Sequence, residues 1–324
     1  MRRRDFLLLV SGAVAAWPLA ARGQRAGRLR RIGIIVGGGP APAFAGFAQG
    51  MQDLGYVEGR DFAIEWHFAE GNYKRHRDFA ADLVRQNVDV IVLGTTSALP
   101  AVQQVTSTIP IILAYSVDPV GNGFVASLAR PGGNITGMAS ALDEIVSKHV
   151  EMLKEMVPNL SRIGLLSNPA SPNHRFFVGG AQVAADQARI DLVRLDATNQ
   201  QEIEAAFATA NAQHVGAICV LADGLFNLHR HRIAELARVS MLPSIFSQRE
   251  YTVAGGLISY GESLIDIFRH VAYFTDRIFK GVKPADLPIE QPTKFELTIN
   301  LKTARELGIN VSPFLQQRAD ALIE

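Results

Sequence analysis

The chain has 324 residues, 48% of them apolar and 19% charged, with a formal net charge of +1. That length suffices for two domains with separate cores, and the near-neutral charge gives no reason to expect nucleic acid as a partner. Its one cysteine, Cys219, sits in the apolar run "VGAICVLAD". It can make no internal disulfide, so it reads as a buried structural thiol, and the cores alone must hold the protein together.

The amino terminus, "MRRRDFLLLVSGAVAAWPLAARGQ", has a basic start, an apolar run from Phe6 to Trp17, then small residues. This is the layout of a secretory signal, and the run is too short to span a bilayer. Arg3-Arg4-Asp5-Phe6-Leu7 fits the twin-arginine pattern, which addresses a protein for export already folded. Ala21 and Gly23 suit the positions before a cleavage site. Residues 1–23 therefore read as a twin-arginine-type signal peptide, with Gln24 beginning the mature chain; an uncleaved anchor is the alternative. Cleavage leaves a formal charge of −2.

After a basic linker, "RIGIIVGGG" (31–39) reads as a buried strand and a sharp turn. Phe44, Phe47, Met51 and Leu54 recur at helical spacing until Gly55. "FAIEWHFAE" (62–70) reads as a strand, Phe79, Leu83 and Val84 mark a helix, and "VDVIVLG" (88–94) is a strand covered on both faces. A short helix over "LPAVQQVTS" leads to the strand "IPIILAYS" (109–116). The alternation predicts a doubly wound parallel sheet.

The pattern then restarts. Helices are expected around 143–156, 176–189, across "QEIEAAFATANA" and around 227–239; they alternate with strands at 162–168, 190–197, 215–223 and 242–247. "GGLISYG" is a further strand. An amphipathic helix follows, with Leu264, Ile267, Phe268, Val271, Phe274 and Ile278 on one face. A proline-punctuated crossover then leads to a final strand and a short closing helix, "LKTARELGI". The fold class is α/β: two doubly wound parallel-sheet lobes joined by a multi-segment hinge. The first lobe is placed at 29–138 plus 255–288, and the second at 139–254 plus 289–324.

Ligands of open parallel sheets bind beyond the carboxyl ends of the strands. Those ends carry Gly37-Gly38-Gly39, Gly94 to Ala98, Ser116 to Gly121, Ser167-Asn168, Ala222-Asp223-Gly224, Phe246 to Arg249 and Ser259-Tyr260-Gly261. Small hydroxyls, backbone amides and two aspartates suit an uncharged or zwitterionic organic solute. Thr95, Thr96 and Ser97 can face a carboxylate, and Asp118 or Asp223 an ammonium. The competing reading is that these residues only cap helices. Substituting Asp118 or Asp223 with alanine is expected to weaken binding.

Enzymatic motifs are missing. "GGGP" fails the dinucleotide spacing, no Walker lysine follows a glycine loop, and there is no G-x-S-x-G elbow. His229 and His231 are two apart, which puts them on different faces of a helix, where a metal pair wants i,i+4. No catalytic residue, metal or cofactor is expected.

"DVIVLGTTSALPAVQQVTSTIPIILAYSVDPVGNGFVASLARPGGNITG", "AGGLISYGES" and "GVKPADLPIEQPTKFELTINLKTARELGI" resemble the substrate-binding proteins of an ABC-transporter family related to tryptophan- and tyrosine-type solute receptors. The resemblance implies the type I periplasmic-binding fold, in which two α/β lobes joined by three crossovers close on a ligand. It implies that the Thr96-Ser97-Ala98 turn and Asp118 hold ligand from the first lobe, that Asn168 and Asp223 do so from the second, and that Tyr260 lies near the hinge. One departure is the ending "NVSPFLQQRAD" in place of the family's I-P-P-S-L-L.

The irregular stretch after Ser116 then reads as ligand loop plus first crossover. Asp118 and Gly121 would sit at the cleft, and Arg130 to Gly137 would carry the chain towards the second lobe. The expectation is a monomeric, exported, periplasmic receptor that catalyses nothing. It would take a small amino-acid-like or aromatic acid ligand and hand it to the membrane permease and ATPase of an importer. A sensor for a membrane signalling kinase, and a hydrolase or dehydrogenase on the same scaffold, are the alternatives.

Overall fold

A computed structural model describes residues 28–140, 142–171 and 174–324; the export signal expected over 1–23, with its cleavage before Gln24, lies outside them. β1 (Arg30–Val36), α1 (Ala45–Asp53), β2 (Phe62–Phe68), α2 (Arg75–Arg85), β3 (Val90–Leu93), α3 (Leu99–Val105) and β4 (Ile111–Leu113) follow the alternation expected from the apolar runs. β5 (Ile135–Met138) adds a strand at the far side of the glycine- and proline-rich stretch. β11 (Ile289–Glu290), returning from much later in the chain, completes a six-stranded sheet in the order β11-β5-β4-β3-β1-β2. All neighbours in it run parallel.

Parallel strands covered on both faces need apolar side chains on both. Ile32, Ile34 and Val36 of β1 face Phe47 and Met51 of α1, while Ile35 faces Leu83 of α2 and Leu99 of α3. The face beside α1 is completed by α10 (Leu264–Phe279), which buries Ile267, Phe268, Val271, Ala272 and Phe274.

The second lobe comprises α4 (Leu142–Met156), β6 (Arg162–Ser167), α5 (His174–Ala188), β7 (Asp191–Asp196), α6 (Gln200–Ala212), β8 (Ala217–Val220), α7 (Gly224–Leu228), α8 (Arg230–Val239), β9 (Ser244–Phe246), α9 (Arg249–Val253) and β10 (Ile258–Glu262). β12 (Phe295–Asn300), α11 (Leu301–Glu306), α12 (Pro313–Arg318) and β13 (Ala321–Ile323) finish it. Its seven strands run β13-β12-β10-β9-β8-β6-β7, parallel except for β10 against β12, where Tyr260 lies opposite Leu297. Cys219 is buried in this core, as expected.

The chain passes between the sheets three times: between β5 and α4, between β10 and α10, and between β11 and β12. The sheets correct the lobe boundaries read from the sequence. Ile258–Glu262, assigned to the first lobe, pairs with β9 and β12 in the second sheet. Ile289–Glu290, assigned to the second, pairs with β5 in the first. Of the stretch Arg130 to Gly137, expected to lead towards the second lobe, the last three residues belong to β5 of the first sheet. Strand identity was local, but sheet membership depends on partners outside the segment, which for β11 lie more than a hundred residues away. The helix expected over 227–239 is two helices, α7 and α8, and β13 lies beyond the strand expected to be last. Among the described residues no helix is long and apolar enough to cross a membrane.

Candidate functional site

The carboxyl ends of both sheets face one another across a cavity of about 110 Å³. β1 delivers Val36 and Gly37-Gly38-Gly39, β3 delivers Gly94 and Thr95, and β4 is followed by Tyr115. From the second lobe come Ala222, Asp223 and Gly224 after β8, Ser247 and Gln248 after β9, and Glu262 at the end of β10. Ser171 and Asn227 add polar groups. Phe44, Tyr115, Phe177 and Phe268 bring aromatic rings, and Ile145 and Leu264 branched aliphatic side chains. A wider compartment of about 360 Å³ adjoins it, sharing Gln248, Glu262 and Leu264 and including Arg230, Arg249 and Ile265.

Two carboxylates line the inner cavity, and none of its described lining residues is Lys, Arg or His. Glu262 is 7% exposed. Burial, and after it the charge of Glu262, holds the Tyr115 phenol protonated far above the ordinary tyrosine range. A buried carboxylate with aromatic neighbours is suited to a cation on a largely apolar body.

Asp223 is already engaged. Its Oδ1 accepts from Asn168 Nδ2 at 3.0 Å and from the Leu225 N–H at 2.9 Å, the latter capping α7. Its Oδ2 accepts from the Tyr73 hydroxyl, which belongs to the first lobe. Burial pushes the carboxyl above the ordinary aspartate value, and these hydrogen bonds pull against it. An ammonium there would compete with partners the fold already supplies.

The other candidates divide. Thr95 lines the cavity with its Oγ1 2.8 Å from Ser97 Oγ. Thr96 and Ala98 are buried behind it, and Thr96 Oγ1 accepts the Val117 N–H at 2.9 Å. Ser116 is buried, and its carbonyl accepts the Ser140 N–H at 2.7 Å, which fixes the first crossover beside β4. Asn168 touches the site through Asp223.

Tyr260 stacks on Phe295 with centroids 5.8 Å apart, outside the lining. Its carbonyl is 2.6 Å from His149 Nε2, which must therefore carry the proton and donate. Burial pushes the His149 ring down to about 4 and the nearby Cys219 thiol up to about 12, so both stay neutral.

Asp118 and Gly121 do not join the others. Both are exposed and absent from the lining. Asp118 adopts a φ of 38° and its Oδ1 accepts the Gly121 N–H at 2.7 Å, closing an exposed turn. Replacing Asp118 with alanine should cost about 1–2 kcal/mol of stability, for the lost bond and the strained φ, and leave ligand affinity unchanged. Paired denaturation and binding curves check both halves, and this reverses the expectation drawn from the sequence.

The residues missed were Glu262, Tyr73, Ser171 and Asn227. Glu262 had one visible signal: an acid between Gly261 and Ser263 at the end of an apolar strand. Of the aromatic residues near these strand ends, Phe44 and Tyr115 line the cavity, whereas Phe226 and Tyr251 are buried in the second lobe.

The profile of the family described as ABC transporter substrate binding protein matches residues 32–323. A protein named tyrosine-binding protein, from Clostridioides difficile, is 25% identical over 267 residues, covering 82% of this chain and 76% of its own. A crystal structure of an ABC domain in complex with L-Trp, from Streptococcus pneumoniae, superposes with a TM-score of 0.83 at 25% identity, covering 91% of this chain and all of the other. A conserved domain protein from Vibrio cholerae superposes at 0.84 with 26% identity and the same coverage. The tyrosine-binding relative is a binding protein by its name, and both solved structures superpose over most of this chain.

Proposed function

We propose a function on the premise that the chain belongs to the family of ABC transporter substrate-binding proteins: it is an exported receptor that binds an aromatic L-amino acid between its lobes. It would then deliver the ligand to a membrane permease driven by an ATPase. The observation that carries the reading is the cavity itself, in which buried Glu262 lines the wall with aromatic side chains and none of the described lining residues is cationic. In this reading Glu262 receives the ammonium. The ring lies among Phe44, Tyr115, Phe177 and Phe268, and the hydroxyls of Thr95 and Ser171 with the backbone of Gly37 to Gly39 meet the carboxylate. The names of the tyrosine-binding relative and of the L-Trp complex support an aromatic amino acid over a sugar. None of the described lining residues is cationic, which argues against an aromatic acid lacking the amine.

The test is thermal unfolding of the mature chain, refolded from denaturant to strip carried-over ligand. L-Tyrosine or L-tryptophan at about 100 times its Kd should add about 2.7 kcal/mol of stability, and ribose, glucose and nucleosides none. Stabilisation by a sugar alone would refute the proposal.

A further inference from the structure

Besides facing one another across the cavity, the two lobes touch each other directly. The Tyr73 hydroxyl, on the loop between β2 and α2, donates to Asp223 of the second lobe. Asp223 is aimed by Asn168 and by its cap on α7. Beside this bond the backbones meet: a Cβ on Gly224 would overlap the Gly37 carbonyl, and one on Gly71 would come 2.8 Å from Leu225 Cβ. The Gly71 N–H donates to the Gly37 carbonyl at 2.8 Å, so the two first-lobe loops meet the second lobe as one piece. Tyr73 does not line the cavity.

We infer that Tyr73 with Asp223, over the seam of Gly37, Gly71 and Gly224, forms a latch that holds the lobes closed through protein–protein contact and not through ligand. The inference rests on the reading of the protein as a receptor that closes. A phenol donating to a shielded carboxylate is a charge-assisted bond, stronger than a neutral one. Opening the lobes must break it and hydrate both groups. The seam has a separate role: glycine lets two main chains approach to a distance that any Cβ forbids, and so sets how far the lobes shut. Apparent affinity scales with the fraction of molecules in the binding-competent state, so Tyr73 tunes affinity without meeting the ligand. It is a positioning residue.

The test reads lobe separation directly. Spin labels are placed on cysteines introduced at exposed Gln103 and Gln201, one on each lobe, with buried Cys219 left unlabelled. Electron–electron distances are recorded without ligand and with saturating L-tyrosine. Tyr73→Phe should lower the closed-to-open ratio about tenfold, the value of one hydrogen bond to a charged group. Gly224→Ala should lower it further. Alanine suits the first turn of α7 locally, so the ligand-free melting temperature should hold, and that separates a blocked latch from a misfolded lobe.

Distance distributions of both variants identical to wild type would overturn the latch, as would a wild type with no closed population in either condition. Failure of wild type to bind L-tyrosine would count against the ligand assignment alone, because the ligand-free distances read the latch by themselves.

Discussion

Glu262→Gln should weaken L-tyrosine or L-tryptophan binding at least about 30-fold, because it removes the charge facing the ammonium while keeping the side chain's shape. Such truncations are costly because the partner charge is left buried and unpaired. Among the described lining residues the second carboxylate is Asp223, and that group already serves Tyr73, Asn168 and the α7 cap. A titration in which the variant binds within about threefold of wild type would move the ammonium elsewhere.

Phe274→Ala should have the largest effect on folding, about 3–5 kcal/mol. Phe274 is fully buried, on a helix that follows ten of the thirteen strands yet closes one face of the first sheet. Its ring packs in the cluster that contains Ile34, Phe47 and Val92 from the start of the chain. Removing it leaves a cavity between elements more than 150 residues apart, which cannot collapse without shifting α10 against α1. Urea unfolding measures the loss; a loss below about 1 kcal/mol would mean that α10 is not part of the first core.

The fold was legible where burial is continuous. Strands such as "VDVIVLG" announce themselves because both faces are covered, and the stripe from Leu264 to Ile278 announces α10 because one face is. β5 escaped notice because "ITGM" has no apolar run: Thr136 is buried with its hydroxyl donating to the Leu287 carbonyl at 3.0 Å, and Gly137 lies against Leu113. β11 is only two residues long. Sheet membership of β10 had no local signal at all, since its partners β9 and β12 are fixed by packing.

The site was legible as a set of strand ends and illegible in its details. Asp118 and Glu262 look alike in sequence, each an acid in a glycine-containing segment after a strand. A left-handed φ turns Asp118 outward to bond Gly121, and antiparallel pairing with β12 delivers Glu262 into the cleft. Asp223, named from the sequence as a candidate, lines the cavity, but its partner was not foreseeable. Tyr73 lies 150 residues earlier in a loop with no motif, and only closure of the two lobes brings the pair together.

The most direct measurement is calorimetric titration of the refolded mature chain with L-tyrosine and with its desamino analogue, 3-(4-hydroxyphenyl)propionate. The account predicts saturable one-to-one binding of L-tyrosine, and binding of the analogue at least about 30-fold weaker, because Glu262 then faces no cation. Equal affinity for the two, or no heat from either L-tyrosine or L-tryptophan, would contradict it.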